Sequence, residues 1–169
     1  MGNFLPLLTV AKYQALNGLE RDAFIAINDA KDAFFAPQQS EDDAATYLDF
    51  NYSTLLLRNG FTHYYLGQYE KALEVFAQVI DPKTLTPKVP ASSERVRTEI
   101  INHETLASLK SPKKDMELSI QLWKAGIQGA IDLRSEQRFS EVLTAYDIMQ
   151  ALWPGDKRIK ELRDLIVHW

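Results

Sequence analysis

Residues 60–82 read Gly-Phe-Thr-His-Tyr-Tyr-Leu-Gly-Gln-Tyr-Glu-Lys-Ala-Leu-Glu-Val-Phe-Ala-Gln-Val-Ile-Asp-Pro. Apolar residues recur here at helical spacing on both sides of Leu66-Gly67-Gln68, so two helices meet at a tight corner. Gly67 suits a helix end that needs a left-handed backbone. A small residue at Gly60 lets the facing helix come close, with Tyr69 and Phe76 filling the groove. Asp81-Pro82 stops the second helix.

The same reading extends in both directions. Helices are expected over residues 5–17, ended by Gly18, and 20–35, with Ala23, Ile27, Ala30 and Phe34 on one face. Ser40 with Asp43 forms a capping-box variant ahead of a long helix over 42–66. The fourth helix is read over 69–80. Pro82, Pro87 and Pro90 make the next stretch a loop. Further helices are expected over 92–109, over 113–133 from a Ser111-Pro112 start, and over 136–152. Trp153-Pro154-Gly155 breaks the chain and Asp156 caps a last helix carrying Ile159, Leu162, Ile166 and Trp169. No stretch alternates with period two. The fold class is all-α.

Bulk properties narrow the function. The chain has 169 residues, a net charge of −4 and no cysteine. Disulfides, thiolate metal sites and a cysteine nucleophile are excluded. The acidic balance disfavours a phosphate-binding surface, so no direct nucleic-acid partner is expected. Phe4–Ala11 is interrupted by Pro6 and followed by Lys12, too short for a membrane span. Position 6 is also wrong for myristoylation after Met1-Gly2. The expectation is a cytoplasmic chain that begins directly in a helix.

Leu66-Gly67, Tyr69, Ala72-x-x-x-Phe76 and Pro82 together resemble a tetratricopeptide repeat. In the same register stand Ala11, Gly18, Ala23, Ile27 and Ala30, and, more loosely, Leu106, Ala107, Ser119 and Trp123. The resemblance implies one right-handed α-solenoid domain over 1–169, of about four antiparallel hairpins near 4–35, 42–80, 92–133 and 136–168. Phe139, Val142, Tyr146, Met149 and Pro154 also fit the second helix of a pair, so the register after residue 110 stays open. With residues 43–50 (Asp-Ala-Ala-Thr-Tyr-Leu-Asp-Phe), residues 133–139 (Leu-Arg-Ser-Glu-Gln-Arg-Phe) and Trp153-Pro154, the chain is similar to one family's repeat region. That family is the bacterial helix-turn-helix regulators of the xenobiotic-response-element type, in which such repeats follow a DNA-binding domain. These residues contain no helix-turn-helix, so DNA binding is not carried over.

The resemblance implies a non-enzymatic protein- or peptide-binding module, the sensory or oligomerising part of a regulator. A small-molecule effector sensor and a stand-alone adaptor are the alternatives. First helices of such repeats line the concave face, which places Thr54, Leu57, Arg58, Phe61, Tyr64 and Tyr65 there. Ile101, Glu104, Thr105 and Ser108 follow from the third hairpin, and Leu8, Thr9 and Lys12 from the first. Arg58 beside tyrosines suits a carboxylate, although tyrosines packed between hairpins would look the same in sequence.

No catalytic residue, metal ligand set or cofactor is assigned. His63, His103 and His168 are scattered, and His103-Glu104 lacks the second histidine of a zinc-helix motif, with Ala107 in its place. Gly126 and Gly129 mark close helix packing. Residues 20–49 carry eight acids and two bases, and 83–114 seven bases and three acids. Contact between opposite-signed stretches leaves a homodimer open, and Lys110, Lys113 and Lys114 read as a solvated turn.

Overall fold

The structure, a computed structural model, describes residues 4–36, 52–89 and 93–167. Nine helices account for most of them: α1 Phe4–Leu16, α2 Glu20–Phe35, α3 Tyr52–Tyr65, α4 Tyr69–Phe76 and α5 Glu94–Lys110. These are followed by α6 Met116–Asp132, α7 Glu136–Leu152, α8 Lys157–Glu161 and α9 Arg163–Ile166. Among the described residues there is no strand, only an isolated antiparallel bridge between Ile80 and Pro87. The class is all-α. No described helix is long and apolar enough to cross a membrane.

The described residues fall into two compact units, one holding α1–α4, the other the 80–88 turn and α5–α9. In the first, α1 and α2 pair closely because alanines line their seam. Ala11, Ala23 and Ala30 are fully buried, and Leu8, Ile27 and Leu55 of α3 complete the core. α3 lies against α1, α2 and α4. A Cβ on Gly60 would run into the ring of Phe76, so only glycine lets α3 and α4 approach this closely. Phe61 meets Phe76 edge-on at 6.2 Å.

One corner geometry recurs. At Gly67, with φ +73°, the Gln68 N–H donates to His63 O at 2.9 Å and the Gly67 N–H to Tyr64 O at 3.0 Å. This six-residue closure satisfies carbonyls the helix end would leave bare. Gly18 closes α1 in the same way through Leu19 to Gln14 and Gly18 to Ala15. The third instance lies between α6 and α7, through Ser135 to Ala130 at 3.1 Å and Arg134 to Ile131 at 3.0 Å. Here the left-handed residue is Arg134, φ +48°. By corner geometry α7 follows α6 as α2 follows α1 and α4 follows α3, which bears on the register that the sequence left open.

In the second unit α7 packs on both α5 and α6. Trp123 is buried and its indole N–H donates to Val142 O at 2.9 Å. A Cβ on Gly126 would strike Asn102, and one on Gly129 would strike Thr98, so α6 rides close on α5. The Asn102 amide donates to Arg138 O and to Glu141 Oε2, both at 3.0 Å. Arg138, only 3% exposed, places Nη1 3.0 Å from Glu141 and 3.4 Å from Glu99. This polar knot ties α7 to α5.

Several boundaries differ from the sequence reading. α4 ends at Phe76, four residues early, because Val79 and Ile80 turn inward and Ile80 bridges Pro87. Ser111 ends α5 instead of starting α6, whose cap is Asp115, with its carboxylate accepting the Leu118 N–H at 3.0 Å. Asp156 does cap the last segment, accepting from the Arg158 N–H at 2.9 Å, but that segment divides at Leu162 into α8 and α9. The Ser40 cap, the start of the long third helix, His168 and Trp169 lie outside the described residues.

Candidate functional site

The C-terminal end of α3 gathers aromatic rings because Phe61, Tyr64 and Tyr65 fall within five residues there and Tyr69 follows the corner. Tyr64 meets Tyr65 at 5.4 Å and Tyr69 at 5.7 Å, both edge-on. Phe61 meets Tyr65 at 6.2 Å. The three tyrosines are half-buried, whereas Phe61 is inside. From α1, Lys12 sets its ammonium 5.8 Å from the Tyr65 ring centre. Arg58 lies 5.6 Å from the ring of Phe61. Such edge-on rings with cations over their faces gain electrostatic as well as apolar contact. The result is a tyrosine corner flanked by two cations, all within the first unit.

Sequence-derived site residues divide accordingly. Arg58, Tyr64 and Tyr65 share α3 and remain partly open to solvent, with Thr54 half-buried a turn earlier. Leu57 and Phe61 are each 1% exposed and form core. Arg58 sits over Phe61, and the cation over a tyrosine is Lys12. Glu104 and Ser108 lie in the second unit on α5, both buried. Ser108 Oγ is 3.4 Å from Ser119 Oγ, and Thr105 returns its hydroxyl to Ile101 O at 2.7 Å. Tyr69 joins the corner although sequence reading used it only as a groove plug. Its signal was its position two residues after the corner glycine.

Glu104 is chemically unusual. It is 2% exposed, and its Oε2 has no hydrogen-bond partner among the described residues. Burial pushes its carboxyl up to about 8; Lys88 opposes this weakly and Asp81 adds to it. Glu104 is therefore a neutral acid at pH 7. Asp81 itself is held below the usual carboxylate range by the N–H groups of Thr84 and Lys83, with help from Lys88 3.5 Å away. These bonds, and Asp81 N–H to Thr86 O at 2.9 Å, shape the 80–88 turn. Gln121 then ties Lys83 O to α6 at 2.6 Å. Among the described residues no group of three or more metal-ligating side chains comes together.

Comparison with known proteins found no matching family model, no matching curated protein and no matching solved structure.

Proposed function

We propose that the chain is a non-enzymatic peptide-binding helical repeat module, of tetratricopeptide kind, and that it forms the sensory or oligomerising region of a bacterial cytoplasmic regulator. The observation that carries this reading is the tyrosine corner with Lys12 and Arg58. Tyrosine offers large contact area at low entropic cost, and a nearby cation suits a carboxylate of an incoming peptide. Packing and corner geometry support a repeat: α3 lies on both helices of the α1–α2 hairpin, and α7 turns back from α6 through the same closure that joins α2 to α1 and α4 to α3. In a solenoid each repeat packs on its neighbours.

The test is a displayed peptide library selected on the protein, with affinities then measured for the wild type and for Arg58→Ala/Tyr65→Ala. Selected peptides should carry a carboxylate that the binding needs. The double variant should keep its helical circular dichroism and lose about 2 kcal/mol or more of binding, the usual cost of a central aromatic anchor. Unchanged affinity in the folded variant refutes the site. Loss of helical signal would make these residues part of the core and refute it as well. A second reading, sensing of a small polar molecule, draws on Glu104, whose buried neutral acid has one oxygen without a partner.

A further inference from the structure

His63 near the end of α3 is held by two side chains in series. Its Nδ1 lies 2.8 Å from Gln68 Oε1, and Gln68 Nε2 lies 2.6 Å from Glu20 Oε1 on α2. A carboxylate can only accept, so the Gln68 amide must turn its NH₂ to Glu20 and its oxygen to His63. The imidazole must then carry its proton on Nδ1. In the neutral ring this leaves the lone pair on Nε2, which no hydrogen bond engages among the described residues.

The ring is also fixed in orientation, since Phe24 packs on it at 5.1 Å. Burial holds its protonation below the ordinary histidine range, opposed by the Gln68 bond; Lys71 and Lys31 lower it further and Glu74 raises it. At pH 7 the ring is thus neutral, and the positive charges of Lys71 and Lys31 oppose its protonation. A neutral imidazole, with its tautomer set by a polarised acceptor, is how proteins present a nitrogen nucleophile.

We propose that His63 Nε2 is a phosphoryl-acceptor site, charged by an activated phosphoryl donor such as an acyl phosphate or a phosphoramidate. Lys31 and Lys71 counter the charge of the incoming group, while Gln68 and Glu20 are positioning residues. With zwitterionic phosphoramidate the Nε2 lone pair forms the N–P bond. The donor's P–N bond breaks, and its electron pair leaves with neutral ammonia. The Nδ1 proton stays on the ring, directed at Gln68 Oε1, so the imidazolium formed is stabilised through the relay to Glu20. No oxidation or reduction occurs.

The experiment treats the full chain with phosphoramidate at neutral pH. It follows phosphorylation by intact mass, site mapping and phosphorus NMR, and reads the His63 tautomer by long-range proton–nitrogen correlation. Phosphate should appear on His63 Nε2, and the untreated ring should show the Nδ1–H form. Glu20→Gln, an exposed change that should not affect folding, and Gln68→Leu should each slow labelling about tenfold or more. Both should also shift the tautomer toward Nε2–H, a change that loss of packing alone would not make. Lys71→Ala should slow labelling without changing the tautomer. An Nε2–H tautomer in the wild type overturns the proposal. So does absence of phosphate on His63, or labelling no faster than in the urea-unfolded chain.

Discussion

Ionising Glu104 inside the second unit should make the protein less stable as pH rises, and Glu104→Gln should abolish that loss. The folded carboxyl keeps its proton to about pH 8, against 4.5 for an unperturbed group. Between these values the native state binds more protons than the unfolded one, so stability falls with rising pH through that window and levels off above it. Below 4.5 both states are protonated and the penalty is absent. Each unit of separation is worth about 1.4 kcal/mol, which puts a ceiling of roughly 5 kcal/mol on the effect. Relaxation and water entry around a buried charge reduce this to about 2–3 kcal/mol. Glutamine keeps the shape and cannot titrate. Urea unfolding at pH 5, 7 and 9, followed by helical circular dichroism and by tryptophan emission, reports the difference between wild type and variant. Near pH 5 the two should agree within about 1 kcal/mol, and at pH 9 the variant should be the more stable by about 2–3 kcal/mol. A gap that stays constant from pH 5 to 9 would refute the burial argument.

Two further variants probe the second unit. Arg138→Met leaves Glu99 and Glu141 facing each other without their shared cation; because both carboxylates keep some solvent access, the expected loss is about 2–3 kcal/mol, measured as a lower urea midpoint. Arg134→Gly should raise the thermal midpoint, since a left-handed backbone costs a non-glycine residue about 1 kcal/mol; an unchanged or lower midpoint would show that the corner is unstrained.

Much of the first unit was legible because local rules and tertiary packing agree there. Gly67 turns left-handed as its place between two periodic runs implies, and Gly60 faces Phe76 as a small residue opposite a large one should. Ser111-Pro112 misled because Asp115 four residues on offers a competing cap, and only the path out of α5 decides between them. The sequence reading gave Arg138 no structural role, yet Arg138, Val142, Ala145 and Met149 fall on one helical stripe and are all buried. That spacing was the available signal. Glu104 falls between Ile100, Ile101 and Ala107 on α5, equally a core position, but sequence gives no weight to a charge that can be shed. At the aromatic corner the sequence grouped Tyr64 and Tyr65 with Arg58 and left Lys12 apart on the first hairpin. Which cation lies over which ring depends on side-chain directions from two helices, and periodicity does not encode these.

The close approach of α6 to α5 has a consequence for how this chain can change over generations. Thr98 fills the hollow at Gly129 and Asn102 the hollow at Gly126, so each pair is a peg and its socket. A methyl group added at either glycine has no room unless the opposite residue shrinks, and enlarging either peg meets the same wall. Enlarging one member of either couple therefore calls for a smaller residue at the other.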